Sequence, residues 1–270
     1  MESFRKLVRL VPRDGLLIAC AEYPDVVAVA AEAACPVVFY AGNPVASPKP
    51  PGEGWGVCGV AENGGFTSFR LEGRQAAHEF ALRLPGRHNA ANGAAVALAL
   101  LRLGYGAERV AEALAGFTGV RRRQEELGEF GGVLVVDDFA HHPTAVRGTI
   151  QAVRARYPGR RIVAVFEPRS NTSRRKIFQR EFAGALAEAD SVIVAGVFGA
   201  EKIPPGERLA PEEVAEAVRA AGREAVFIQE VDRIVERLSQ TSRPGDLILI
   251  MSNGGFGGIQ GKLKGMLSSR

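Results

Sequence analysis

Three polar clusters, each following a short apolar run, hold the side chains best suited to chemistry. Residues 133–136 lead into Asp137-Asp138-Phe139-Ala140-His141-His142-Pro143-Thr144. Residues 162–166 lead into Glu167-Pro168-Arg169-Ser170-Asn171-Thr172, and residues 247–251 into Ser252-Asn253-Gly254-Gly255-Phe256-Gly257-Gly258. Carboxylates beside imidazoles can move protons or orient a ligand, and a guanidinium fork can hold a carboxylate or phosphate. A glycine-rich turn lets the backbone come close to either. Each cluster also has a plain structural use. An aspartate can cap a turn, His142-Pro143 can open a helix, Arg169 can be a solvated cation, and the glycines can simply turn the chain. Their joint appearance after strand-like runs favours a site, because loops at one sheet edge carry function.

Two further clusters lie upstream. Gly86-Arg87-His88-Asn89-Ala90-Ala91-Asn92 starts a helical pattern with Asn89 and Asn92 one turn apart on the same face. One of them could cap the helix, whereas the pair suits hydrogen bonds to an adenine edge or a ribose. Gly119-Val120-Arg121-Arg122-Arg123-Gln124-Glu125 lies where the pattern restarts, and its arginines could be a solvated stretch or could reach phosphate oxygens.

The elements that must position these residues follow from periodicity. Residues 4–11 read as an amphipathic helix, 16–20 as a buried strand, 24–34 as a helix and 37–40 as a strand. A Pro/Gly loop over 43–54 precedes three short strands, 55–61, 66–71 and 76–84, which look like a small antiparallel sheet with Asn63-Gly64-Gly65 as a hairpin turn. Helices are predicted over 89–103 and 107–114. After Gly119 come five apolar strands, 133–136, 162–166, 191–195, 225–228 and 247–251. Helices 144–156, 177–188, 212–221, 232–239 and one from about 258 lie between or after them. Such alternation predicts an α/β class with a mostly parallel sheet covered on both faces, and a domain boundary near Gly119.

Composition narrows the classes. The chain has 270 residues, 46% hydrophobic and 24% charged, with a net charge of +4, which is ordinary for a globular protein and excludes a disordered or collagen-like chain. The small basic excess does not by itself call for nucleic acid, although residues 121–123 and 174–176 keep that reading in view. Cys20, Cys35 and Cys58 form no Cys-x-x-Cys pair, so zinc is not expected, and buried free thiols fit a reducing, cytoplasmic setting. No signal peptide is expected, and runs such as 94–101 are too short to span a bilayer. Neither G-x-x-x-x-G-K-[ST] nor G-x-G-x-x-G occurs; Gly261-Lys262 is followed by Leu263.

The ordered set Gly-x-His-Asn-x-x-Asn, Gly-Val-x-Arg-Arg-x-Glu, Asp-Asp-Phe-Ala-His-His-Pro-Thr-Ala, Glu-Pro-Arg-Ser-Asn-Thr and Ser-Asn-Gly-Gly-Phe-Gly-Gly resembles the Mur ligases of peptidoglycan synthesis. Within them it looks most like the branch that recycles murein tripeptide, joining UDP-N-acetylmuramate to L-Ala-γ-D-Glu-meso-diaminopimelate. The Asp-Asp-x-x-His-His-Pro piece is shared with the muramate–alanine ligases, whose specificity is the alternative.

The resemblance implies an ATP- and Mg2+-dependent amide ligase working through an acyl phosphate. It puts Asn89, Asn92, Arg123, Asp138 and Phe139 on the nucleotide, with Asp138 and Arg123 acting on the same one. His141 falls beside the reacting carboxylate, and His142, Arg169, Ser170, Asn171, Ser252 and Asn253 on the substrate side. No metal ligand is assigned among these residues. Residues 1–119 would be the C-terminal part of the family's central domain without its P-loop, and 120–270 the family's C-terminal, Rossmann-like domain. That expectation makes the chain a fragment, a split gene or a mis-called start, with a separate N-terminal half as a partner and no nucleic-acid or membrane partner. Ser173-Arg174-Arg175-Lys176 departs from the branch, which continues Asn-Thr with Met and a basic residue. A non-catalytic nucleotide- or peptide-binding module is the alternative of another class.

Overall fold

The computed structural model describes residues 1–42, 53–63 and 66–268. The chain divides into two compact units, Met1–Thr118 and Gly119–Arg270. Among the described residues, no helix is long and apolar enough to cross a membrane.

The first unit runs α1 (Glu2–Arg9), β1 (Leu17–Cys20), α2 (Pro24–Ala30), β2 (Val37–Ala41), β3 (Glu53–Asn63), β4 (Phe66–Glu72), β5 (Ala77–Leu82), α3 (Arg87–Arg102) and α4 (Ala107–Gly116). Its five strands form one sheet in the order β1-β2-β3-β4-β5. The three strands expected as a small antiparallel sheet attached to the α/β unit are β3 to β5, and they continue the same sheet as β1 and β2. β3 pairs parallel with β2 along one edge and antiparallel with β4 along the other, so one long strand joins the two patterns. The 43–52 stretch and the Gly64-Gly65 turn lie outside the described residues; Asn63 and Phe66 on either side of that turn are paired.

Alternation along β4 buries Thr67, Phe69 and Leu71. Phe69 and Leu71, with Phe80 and Leu82, pack against Ala90, Ala94, Ala97 and Leu98 of α3. The small residues of α3 let the helix lie close to the sheet. A Cβ on Gly93 would fall 2.6 Å from Leu82 Cδ2.

The second unit runs β6 (Glu125–Phe130), β7 (Val133–Asp138), α5 (Pro143–Arg156), β8 (Ile162–Phe166), α6 (Gln179–Leu186), β9 (Ser191–Ala195), α7 (Pro211–Ala220), β10 (Glu224–Ile228), α8 (Val231–Thr241), β11 (Leu247–Met251) and α9 (Ile259–Ser268). The sheet order is β10-β9-β8-β11-β7-β6. All neighbours are parallel except β6, which pairs antiparallel with β7. Sequence periodicity missed β6. Glu-Glu-Leu-Gly-Glu-Phe is an edge strand with a register shift between Glu126 and Gly128, so it needs only part of one face to be apolar.

Every residue of β7, β8 and β11 is buried. Their side chains alternate between two cores. Val136, Phe166 and Leu249 meet α5, α6 and α7, whereas Val135, Val165 and Ile248 meet α8 and α9. Full burial of each such aliphatic side chain contributes about 1.5–3 kcal/mol.

The amino-terminal edge of this sheet is tied by Arg161. Its Nε and Nη2 donate to Asp246 Oδ1 and Oδ2 at 3.1 and 2.8 Å, and the Arg243 amide donates to the same carboxylate at 2.9 Å. Burial pulls the Asp246 carboxyl upward, but these donors and cations outweigh it and hold Asp246 below its ordinary value. A carboxylate depressed in the folded state stabilises fully above the unfolded value of about 3.9, and that contribution is lost as pH falls through the folded value. The thermal midpoint gap between the native chain and Asp246→Asn should stay constant above about pH 5 and close on acidification. A gap that widens in acid would refute the sign.

Candidate functional site

Three adjacent central strands of the second unit, β7, β11 and β8, end side by side with Asp138, Met251 and Phe166 in one register. That register brings the clusters after them together. Asp137 and Asp138 are the last two residues of β7 rather than the start of a loop.

Asp138 is 4% exposed, and its oxygens serve backbone amides on two sides. Oδ1 accepts from Ala140 N at 2.7 Å and Thr149 Oγ1 at 3.2 Å, and Oδ2 accepts from Gln124 N at 2.9 Å. Burial pushes its pKa up, and these donors oppose the rise. Asp138 thus ties the arginine turn to the histidine loop. Gln124 and Arg122 both hold positive φ, 51° and 61°, an uncommon state for residues with side chains. The turn is held there by Asp138 and by Glu125 Oε2, which accepts the Arg122 amide at 2.7 Å.

Arg122, which sequence reasoning did not separate from its neighbours, is the cross-brace. Its Nε donates to Asp137 Oδ2 at 3.1 Å, and its Nη2 donates to Ser252 O and Gly254 O, both at 2.7 Å. Burial raises the Asp137 carboxyl and Arg122 works against it, with Gln260 adding a 3.3 Å hydrogen bond. Arg123 differs. It is exposed, and its guanidinium lies 5.0 Å from the Phe139 ring centroid.

His141 packs edge-on against Phe139, with Nδ1 2.8 Å from Phe139 O. A carbonyl only accepts, so Nδ1 carries the proton and Nε2 is the nitrogen left for a ligand. His142 is exposed, precedes Pro143 at the start of α5, and meets Phe178 edge-on at 5.1 Å. His142 and Pro143 open the helix as their local sequence suggests, and the His142 side chain makes no cap hydrogen bond.

At the end of β8, Glu167 and Ser170 are buried and Asn171 is exposed. The Ser170 hydroxyl donates to Ser173 Oγ and accepts the Ser173 amide, each at 2.9 Å, which closes the turn. Asn171 Oδ1 accepts from Arg174 Nη2 at 2.7 Å. Arg169 stands over the Phe198 ring at 3.6 Å and faces Glu167 at 3.5 Å.

At the end of β11, Ser252 is fully buried. Its hydroxyl donates to Glu167 Oε2 and accepts the Gly254 amide at 2.9 Å. Asn253 Oδ1 is buried without a hydrogen-bond partner. Phe256, Gly257 and Gly258 all have positive φ, which lets the chain turn abruptly into α9.

Asn89 and Asn92 belong to the first unit. Gly86 is the N-cap of α3, so neither asparagine caps it. Asn92 Nδ2 is 3.5 Å from Asn89 Oδ1, and Asn89 Nδ2 donates to Pro85 O at 2.7 Å. The pair is joined, as its spacing suggests.

The basic run 174–176 is spent internally: Arg174 on Asn171 and Phe198 O, Arg175 on Glu207, and Lys176 on Glu213 at 3.8 Å. Glu167 and Phe198 were missed as site residues. Glu167 carried a signal, a carboxylate one residue past a buried strand. Phe198 carried none, because a phenylalanine in a loop far along the chain has no spacing to betray it.

The family model described as "Mur ligase, glutamate ligase domain" matches residues 122–254. A UDP-N-acetylmuramate–L-alanyl-γ-D-glutamyl-meso-2,6-diaminoheptandioate ligase of Escherichia coli is 42% identical over 181 residues, covering 67% of this chain and 37% of that protein. A UDP-N-acetylmuramate–L-alanine ligase of Acetivibrio thermocellus is 32% identical over 255 residues, 93% of this chain and 52% of that one. The crystal structure of a murein peptide ligase from Psychrobacter arcticus superposes with a TM-score of 0.72 at 28% identity, covering 100% of this chain and 54% of the other. The chain spans about half the length of the curated relatives it matches. The matched segment begins at the Arg122 brace and ends at Gly254, whose carbonyl that brace holds, and the chain belongs to the Mur ligase family.

Proposed function

We propose that this chain carries the amine-substrate site and part of the nucleotide site of an ATP-dependent amide ligase. That ligase would join UDP-N-acetylmuramate to L-Ala-γ-D-Glu-meso-diaminopimelate in peptidoglycan recycling. The observation that supports it most is the meeting of the segments after β8, β9 and β11 at Arg169, a partly exposed guanidinium aimed by Glu167, Phe198 and Gly254 rather than solvated at random.

Arg169 would take a carboxylate of the incoming peptide, and Asn171, His142 and Asn253 would serve elsewhere on the substrate side. Ser170 and Ser252, whose hydroxyls are engaged within the protein, would act by shaping the turn and the strand end. His141 would hold or move a proton at Nε2. Arg123 suits a phosphate oxygen, because its guanidinium is exposed and its described neighbour is an aromatic face. Asn89 and Asn92 would meet the base or ribose, and Phe139 and Asp138 would shape the nucleotide side. ATP, when bound, supplies the phosphoryl group that activates the muramoyl carboxylate. Mg2+ would arrive with the nucleotide phosphates, which supply oxygen ligands for it.

A second reading, L-alanine as the amine, is favoured by relatives of that name covering more than nine-tenths of the chain. Titration calorimetry of the 270-residue chain with the tripeptide and with L-alanine separates the two. The tripeptide should bind, and Arg169→Ala should weaken it by about 2–5 kcal/mol, at least about 30-fold. Tripeptide affinity unchanged in that variant would overturn the role of Arg169. Binding of L-alanine without the tripeptide would establish the second reading.

A further inference from the structure

The Arg169 guanidinium is held by groups that the proposed function leaves unassigned. Its Cζ lies 3.6 Å from the Phe198 ring centroid, and Nη1 lies 3.5 Å from Glu167 Oε1. A Cβ on Gly254 would fall 1.8 Å from its Nε, so the space is free only because residue 254 has no side chain.

Glu167 is 6% exposed, and its second oxygen, Oε2, accepts the Ser252 hydroxyl. Its amide donates to Met251 O at 3.0 Å, which continues the β8–β11 ladder one residue past the strand. A buried carboxylate is costly unless paired, and the charge facing Glu167 is Arg169. Glu167 is buried and engages Ser252 and Arg169, and of those two neighbours Arg169 is the one exposed to a ligand.

Phe198 is 47% exposed, yet its main chain is fixed. Its amide donates to Pro168 O at 3.0 Å, and its carbonyl accepts from Arg174 Nη1 at 3.3 Å. The ring is therefore a platform anchored to the same loop that carries Arg169. Stacking takes one face of the guanidinium and Glu167 faces one end. Of the five donors in the fork, those on the remaining edge stay available, and the side chain is 26% exposed.

We propose that Glu167 is a positioning residue which, with the Phe198 platform and the bare Gly254, holds Arg169 in one orientation for a carboxylate of the incoming substrate. Freedom that a surface arginine would lose on binding is thereby lost in advance. The choice of ligand rests on the proposed function, whereas the immobilisation of Arg169 can be read without any ligand.

The test is 15N relaxation of the Arg169 Nε–H group in the 270-residue chain, assigned with Arg169→Lys. The native chain should show a rigid group, with an order parameter of ~0.85, the level of rigid backbone. Glu167→Gln keeps an acceptor for Ser252 and removes the charge. Phe198→Leu removes only the platform, on an exposed loop side chain. Each should drop the value below ~0.6 while leaving the backbone order of β8 unchanged. Tripeptide affinity should fall about tenfold in each variant, and Glu167→Asp should restore part of it.

An Arg169 group already mobile in the native chain would overturn the proposal. So would one that stays rigid in both variants, the result a purely structural Glu167 would give. Should Glu167→Gln fail to fold, Glu167→Asp, which keeps the charge but draws it back from Arg169, takes its place in the same readout: a lowered order parameter is expected, and an unchanged one would overturn the proposal. Loss of Arg169 order in a chain that binds no tripeptide would support the positioning role and sink the ligand assignment instead.

Discussion

Arg122→Ala should destabilise the second unit by about 3 kcal/mol at neutral pH, a fall in thermal midpoint of roughly 6–12 °C for a unit of this size. The side chain holds three acceptors at once, Asp137 Oδ2 and the carbonyls of Ser252 and Gly254. The Asp137 side chain is 4% exposed, so removing its cation strands a buried carboxylate. Its other oxygen, Oδ1, is buried and already lacks a hydrogen-bond partner. Burial raises the Asp137 pKa even with Arg122 present, and without Arg122 the rise is larger. The penalty belongs to the ionised form. It should therefore be full above the folded-state pKa of Asp137 and shrink as pH falls through it. Arg122→Ala combined with Asp137→Asn should recover part of the loss. Denaturation across pH checks both statements, and a penalty independent of pH in the single variant would show that the lost carbonyl contacts, not the stranded charge, dominate.

Purified alone, the 270-residue polypeptide should show no ligase turnover with UDP-N-acetylmuramate, tripeptide, ATP and Mg2+. It contains no G-x-x-x-x-G-K-[ST] segment, whose backbone amides and lysine cradle nucleotide phosphates. Phosphoryl transfer depends almost wholly on positioning and charge neutralisation, and a single arginine finger is worth roughly 10³–10⁵ in rate. Losing a whole phosphate cradle should cost more than that. Phosphate release would be followed with each substrate omitted in turn, and again with a P-loop-bearing N-terminal segment of a relative added. Substrate-dependent turnover by the chain alone would overturn the proposed division of labour. Turnover that needs the added segment would support it.

By themselves, the residues determined the class of fold and where the polar clusters leave the sheet. Alternating apolar runs and helical periods placed β7, β8, β9 and β11 within two residues of their observed bounds, because fully buried parallel strands must be continuously apolar. The polar clusters after three of those strands were legible for the same reason: a sharp change from apolar to polar marks where a strand leaves the core. Local signals failed where burial is partial. β6 has only one face to satisfy, and β3 joins two pairing patterns that look separate along the chain.

Strand order was decided by tertiary structure alone. β11 lies between β7 and β8, although about eighty residues separate it from β8 in sequence. That insertion sets Ser252 against Glu167, Gly254 against Arg169, and both strand-end carbonyls against Arg122. No spacing rule relates residues 122, 167, 198 and 254. The three arginines at 121–123 look alike in sequence, yet Arg122 is a half-buried brace bonded to three acceptors, Arg123 lies exposed over the Phe139 ring, and Arg121 is 94% exposed. Their fates differ because a guanidinium is stable out of water only where fixed acceptors surround it. Which of the three meets such acceptors depends on a turn with two positive-φ residues and on a strand added last to the middle of the sheet.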